Sequence, residues 1–193
     1  MERELNISEF LGKRTLILGD VNTGKTTLTQ RILEAVCRAG LASRIVIIDM
    51  APEIPEAIIR EKKLRGVGGR LQPPTGEDVI YLRDDLVPPR LSSKLEAEAV
   101  EKAIQNARKI EVLFWKYHEI QRDILFMNDI SLYLQAGRAA QLTRWMEKAA
   151  TVVANGYLGE GLGSGTLSRR EREEMEALKG YFDRIVLMQR VEP

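Results

Sequence analysis

Two apolar periods alternate along this chain. Thr15-Leu16-Ile17-Leu18, Ile45-Val46-Ile47-Ile48, Ile124-Leu125-Phe126-Met127, Thr151-Val152-Val153-Ala154 and Ile185-Val186-Leu187-Met188 are short, nearly unbroken apolar runs. Such runs predict strands, and Ile45-Val46-Ile47-Ile48, four apolar residues ending in Asp49, reads as one in a parallel sheet covered on both faces. Between them the apolar positions return every three or four residues. Leu28, Ile32, Leu33 and Val36 predict a helix over 28–39 closed by Gly40, and Leu142, Trp145 and Met146 mark another over 139–149. Leu95, Ala99, Ala103, Ala107, Ile110, Phe114 and Tyr117 form the longest stripe, which predicts a helix over about 94–120 with Ser92 as its N-cap. That stripe reads as core or as a dimer face. A helix opened by proline is expected over 52–60, and a short one over 130–135 ending at Gly137. Ser168 is expected to cap a charged helix to 179 carrying Arg169/Glu173, Arg170/Glu174 and Arg172/Glu176 as i,i+4 pairs. Val79-Ile80-Tyr81-Leu82 is a further strand candidate, and Pro88 and Pro89 predict extended chain over 86–91.

This alternation predicts one α/β domain over residues 1–193. Its centre is a doubly wound, mainly parallel five-stranded sheet with helices on both faces, and residues 50–92 are an insertion on the substrate side. Ligands of such sheets bind beyond the carboxyl ends of the strands. The expected rim therefore carries Asp49, Asn128-Asp129, Asn155 and the loop after the first strand.

That loop is the most informative stretch of the chain, Gly19-Asp20-Val21-Asn22-Thr23-Gly24-Lys25-Thr26-Thr27. It meets G-x-x-x-x-G-K-[ST] at each fixed position, between a predicted strand and a predicted helix. The glycines let the backbone N–H groups turn inward around an anion, and the helix N-terminus adds its positive end. Lys25 is placed to reach β- and γ-phosphates, and the Thr26 hydroxyl to ligate Mg²⁺. A second glycine- and cation-rich stretch, 62–70, contains Arg65 and Arg70 and reads as a solvated loop or as another anion-binding loop. Gly156, Gly159, Gly161, Gly163 and Gly165 mark a third loop.

Composition narrows the classes further. The 193 residues are 44% hydrophobic and 30% charged with a net charge of +1, which predicts no strong field toward nucleic acid or anionic lipid. One cysteine, Cys37, and one histidine, His118, exclude an internal disulfide and a His/Cys zinc site. Met1-Glu2-Arg3-Glu4-Leu5 has no apolar signal core and no apolar run approaches 18 residues, so no membrane association is expected and the cytoplasm is the expected compartment.

Through its phosphate loop the chain resembles the P-loop NTPase superfamily, with a layout over roughly residues 14–190 similar to the RecA-like branch. That branch ends a hydrophobic strand in two acids, one serving Mg²⁺ and one the attacking water. Met127-Asn128-Asp129 stands in that place, so Asp129 matches an acid and Asn128 departs from one. In MinD-like ATPases and polynucleotide kinases the acid ends the strand after the phosphate-loop helix, and Ile47-Ile48-Asp49 looks like that pattern. The extra loop lysine of the MinD-like proteins is replaced here by Asp20 and Val21. The run Met127 to Gly137 and the ending Phe182 to Met188 are similar to cob(I)alamin adenosyltransferases, whose phosphate loop is one residue shorter. The resemblance implies ATP and Mg²⁺, with Lys25, Asp129 and Asp49 as catalytic candidates, Thr26 with Asp129 or Asp49 at the metal, and residues 19–27 around the phosphates. No N-K-x-D or T-K-x-D motif is present, which favours ATP over GTP.

Two functions are consistent with these residues. One is an Mg-dependent ATPase or kinase-like phosphotransferase, whose second substrate offers an anionic group to Arg65, Arg70 or Arg90. One of Arg169, Arg170 or Arg172 would then close on the γ-phosphate. The other is a nucleotide-controlled module with slow hydrolysis that binds a protein partner or a second copy of itself. An adenosyl or nucleotidyl transferase is a third possibility of the same resemblance.

Overall fold

The computed structural model describes residues 5–61, 69–159 and 165–189. Residues 62–68 of the second glycine-rich stretch, Arg65 among them, and Gly161 and Gly163 of the third lie outside them. The strands are β1 (Arg14–Gly19), β2 (Ile45–Asp49), β3 (Ile80–Arg83), β4 (Ile124–Asn128), β5 (Thr151–Tyr157) and β6 (Arg184–Met188). They form one sheet of order β3-β2-β4-β5-β1-β6 in which each neighbouring pair is parallel.

The expected α/β sheet with helices on both faces is therefore present, but with six strands rather than five. The additional strand is β3, an edge strand paired with β2 only. The Val79-Ile80-Tyr81-Leu82 run is apolar, but at the sheet edge its residues are only partly buried, so it lacks the two-sided burial of the other runs. The chain also departs from the expected elements at β5. The apolar run stops at Ala154, yet the strand continues through Asn155 and Gly156 to Tyr157, with Asn155 in register with Ile17.

Alternation within each strand divides the core. Ile17, Ile45, Ile47, Phe126 and Val153 face α1 (Lys25–Arg38), through Ile32, Leu33 and Val36. Leu16, Leu18, Ile48, Leu125 and Met127 face the other layer. That layer holds α4 (Glu96–Glu119), α5 (Ile130–Leu134), α6 (Ala139–Met146) and α7 (Thr166–Lys179). The stripe on α4 from Ala99 to Tyr117 is buried inside the chain, so it is core and not a dimer face; only Leu95 at its start is exposed. Cys37 is buried in the α1 layer, and burial pushes its thiol up to about 11, leaving it protonated and inert. No helix among the described residues is long and apolar enough to cross a membrane.

The insertion holds α2 (Glu56–Glu61) and α3 (Pro89–Ser92) besides β3. Pro55, rather than Pro52, opens α2, its carbonyl accepting from Ile58 and Ile59. The segment 86–91 is not extended throughout, since Pro89 begins a helical turn where its missing N–H costs nothing. Ser92 consequently ends α3, and Leu95 occupies the N-cap position of α4. Gly165, not Ser168, precedes α7. The three i,i+4 pairs on α7 do not form. Arg170 donates to the carbonyls of Ala136 and Gly137, Glu174 accepts from the Ala139 N–H, and Arg172 donates to the carbonyl of Gly159.

Candidate functional site

The loop between β1 and α1 is shaped by two αL residues, Asn22 at φ 59° and Gly24 at φ 83°. Asparagine tolerates that region and glycine adopts it freely. Gly19 serves a different need: a Cβ there would lie 2.5 Å from the Met188 carbonyl oxygen and 2.6 Å from Thr23 Oγ1. The loop thus closes against the end of β6 only because position 19 has no side chain. Gly19→Ala is expected to open the loop and weaken anion binding roughly tenfold, read by titration of ATP with Mg²⁺ against wild type.

Within the loop, Thr23 Oγ1 donates to the Asp20 carbonyl at 2.9 Å, and the Val21 N–H to Asp20 Oδ1 at 2.6 Å. The N–H groups of Asn22, Thr23 and Gly24 donate to no described residue, which is the condition for an anion cradle at a helix N-terminus. Lys25 Nζ donates to the Asp20 carbonyl at 2.6 Å. Burial lowers its pKa, while Asp129 and Asp20 raise it. An arriving polyphosphate would offer this ammonium better acceptors than one carbonyl.

At the ends of β2, β4 and β5 a buried polar network fixes the floor. Asp49, 2% exposed, accepts four hydrogen bonds. Its Oδ1 takes the Ala51 N–H (3.0 Å) and Asn128 Nδ2 (2.8 Å); its Oδ2 takes the Leu71 N–H (2.8 Å) and the Tyr81 hydroxyl (2.8 Å). Asn128 Nδ2 also donates to the Gly69 carbonyl, and Asn128 Oδ1 accepts from Asn155 Nδ2. Asn155 Nδ2 reaches Thr29 of α1 as well. Gln30 then clamps residue 72 from both sides, accepting its N–H and donating to its carbonyl. Together these bonds sew residues 69–72, midway along the insertion, onto the sheet beside the phosphate loop.

Asp129 stands apart from that network. It follows β4 at φ 55°, and its N–H donates to Asn155 Oδ1 at 2.9 Å, which holds the unusual turn. One carboxylate oxygen accepts from the Ser131 hydroxyl, and the other has no described partner. Burial raises its pKa, opposed by the Ser131 bond and by the charges of Lys25 and Arg90. The Thr26 hydroxyl likewise bonds to no described residue. Among the described residues no cluster of three or more His, Cys, Asp or Glu side chains could hold a metal alone. Two open oxygens fit a magnesium ion, which keeps most of its waters and takes one or two protein oxygens beside phosphates. Asp49 fits that task poorly, because all four of its acceptor sites are taken.

A cavity of about 660 Å³ joins the loop from Val21 to Thr27 with Asp129 and Asn155, and continues past them to Pro52, Ile54, Arg70 and Arg90. Of the expected site residues, Gly19, Asp20, Asp49, Arg169, Arg170 and Arg172 do not line it. Sequence reasoning missed Ser131, Gln135, Tyr157 and Glu171. Only Glu171 left a signal: Leu167, Glu171, Met175 and Leu178 share one helical stripe, so a carboxylate sits where an apolar side chain is expected.

No protein-family model matches the chain, and a comparison with curated proteins finds no match. Among solved structures it is similar to the flagellar accessory protein FlaH from Methanocaldococcus jannaschii, at 10% identity and TM-score 0.49, covering 92% of this chain and 71% of that one. It is also similar to a prototypical ATPase from the type III secretion system of pathogenic bacteria, at 13% identity and TM-score 0.48, covering 93% of this chain and 52% of that one. The chain spans about half the length of that second structure. At such distances the chemistry of the site is carried by its own residues.

Proposed function

We propose that this chain binds ATP with Mg²⁺ on residues 19–27 and transfers the γ-phosphoryl group to a second substrate, or slowly to water. The observation that carries this reading is the convergence of Lys25, Thr26 and Asp129 at one end of a cavity that continues beyond them. The backbone N–H groups of the loop would hold the phosphates and Lys25 would bridge the β- and γ-phosphates. Thr26 and Asp129 would hold the magnesium ion, which when bound neutralises charge on those two phosphates. An oxygen of the acceptor attacks the γ-phosphorus, the bond to the bridging oxygen breaks, and ADP leaves with that electron pair. The acceptor's proton passes to solvent. Past this point the walls are Pro52, Ile54, Pro88, Pro89 and Leu91, with Arg70 loosely paired to Glu53 at 3.7 Å. An apolar body with an anionic group matches that lining.

A nucleotide-controlled binding module is the second reading, and Asn128 favours it. A neutral amide spent on Asp49 and Gly69 cannot activate water, so unassisted hydrolysis is expected at about 10⁻² per second or slower. Phosphate release from ATP and Mg²⁺ by the purified protein tests both. Fast release establishes a hydrolase. ATP binding with slow release agrees with a transferase lacking its acceptor or with the module, which a screen of phosphate acceptors separates. Triphosphate or pyrophosphate as product would identify adenosyl or nucleotidyl transfer instead, and absence of ATP binding removes the proposal.

A further inference from the structure

One charged pair, Arg90 in the cavity wall and Glu171 behind it, has no part in the phosphate and magnesium contacts proposed for Lys25, Thr26 and Asp129. Arg90, on α3, reaches across to α7, where its Nη2 lies 2.9 Å from Glu171 Oε2 and its Nη1 donates to Ser168 Oγ at 2.9 Å. The Glu171 side chain is 3% exposed and that of Arg90 16%. Glu171 also accepts from Gln135 Nε2 at 2.9 Å. Arg90 and Gln135 line the same cavity as Lys25 and Asp129. A buried ion pair costs desolvation and gains little stability over apolar packing, so its presence beside an anion cradle asks for another use. The hold on Arg90 is also one-sided. Its Nε–H and the second Nη2 proton have no described partner, and the guanidinium carbon stands 5.6 Å from the Tyr157 ring centre, at the end of β5.

We propose that Arg90 is the guanidinium that meets the terminal phosphate of the bound triphosphate as it is transferred, and that Glu171, with Ser168, is the positioning residue that aims it. This inference rests on the binding of ATP by residues 19–27. During transfer, negative charge spreads over the γ-phosphoryl oxygens and the bridging oxygen that leaves with ADP, and a guanidinium already fixed in place stabilises that charge without reorganising. Arg90 thereby takes the role the sequence offered to the arginines of α7; α7 supplies the carboxylate that holds it. The hold is sensitive to protons. Burial pushes the Glu171 carboxyl up to about 7, with Arg90 from α3 opposing the rise and Asp129 from the end of β4 adding to it. Gln135, facing it from just past the end of α5, is neutral. Glu171 grips Arg90 when ionised, so the grip is present above that pH and lost below it.

The test compares affinity for ATP with affinity for ADP plus aluminium fluoride, a mimic of the transferring phosphoryl group, each with Mg²⁺ and each on both sides of neutral pH. It needs no acceptor and no turnover. Arg90→Lys is expected to weaken the mimic roughly a hundredfold while ATP affinity stays within about threefold. Glu171→Gln is expected to weaken the mimic about tenfold and to reduce its acid-side loss of affinity relative to wild type. Ser168→Ala, which leaves no buried charge unpaired, is expected to give a smaller loss of the same kind, and serves if Glu171→Gln does not fold. Equal losses for ATP and the mimic would make Arg90 an ordinary binding residue and overturn the inference. So would an unaffected mimic in Arg90→Lys, or an acid-side loss as large in Glu171→Gln as in wild type. Wild-type protein that binds no ATP would remove the phosphate-loop assignment itself, which the ATP titration reports separately.

Discussion

Lys25→Ala is expected to abolish turnover of ATP and to weaken its binding by about 3 kcal/mol, roughly a hundredfold. Without a ligand the ammonium has one described bond, to the Asp20 carbonyl inside its own loop; it is half-buried, and burial works against its charge. Such a group is costly to the empty protein and useful to a phosphate-bound one, because two phosphate oxygens replace one carbonyl and the added negative charge keeps the amine protonated. Truncation should therefore leave the fold nearly unchanged, with stability within about 1 kcal/mol of wild type. Isothermal titration with ATP and Mg²⁺ measures the first quantity and thermal unfolding the second. Unchanged affinity for ATP would sink the phosphate-loop assignment. A large fall in stability with intact binding would show that Lys25 holds the loop together and nothing more.

The sequence made legible whatever is written in contiguous residues. The phosphate loop is one uninterrupted string whose strand and helix adjoin it, and the runs at 15–18, 45–48, 124–127 and 151–154 are buried on both faces as their composition requires. Edges and proline-marked turns were less visible. β3 has four residues with one face half open, and Pro88-Pro89 forbids a helix interior while permitting a helix start. Long-range partnerships were not visible at all. Asp49 and Asn128 could both be placed on the rim, but not joined, since they are 79 positions apart and only the parallel register of β2 with β4 brings them side by side. Glu171 lies on the expected charged helix, out of place in an apolar stripe, but its partner, Arg90, is 81 positions earlier on another element and could not be read. The same reason explains Asn155. A polar residue ends an apolar run by composition, yet here Thr29, Asn128 and the Asp129 N–H satisfy it inside the sheet.

Those partnerships separate the two acids that composition left equivalent. Asp129→Asn is expected to remove the tightening of ATP binding by Mg²⁺ while leaving the fold intact. Asparagine tolerates the αL turn at this position, its amide oxygen can still accept from Ser131, and only the open carboxylate oxygen is lost. Asp49→Asn is expected to do the reverse. Each Asp49 oxygen takes two donors, so an amide NH₂ on either side confronts two N–H or O–H groups buried with no acceptor. That should cost about 3 kcal/mol or more of stability and loosen residues 69–72 and β3 from the sheet, because Leu71 and Tyr81 hang on that carboxylate. Titrations of ATP with and without Mg²⁺, alongside denaturant unfolding, read both variants. Loss of the metal effect in Asp49→Asn with normal stability would place magnesium at the end of β2 instead of β4, and Asp129 would then be left as a buried carboxylate without a task. The four filled acceptor sites on Asp49 argue against that outcome, since a cation could reach this oxygen pair only by displacing the hydrogen bonds that hold the insertion down.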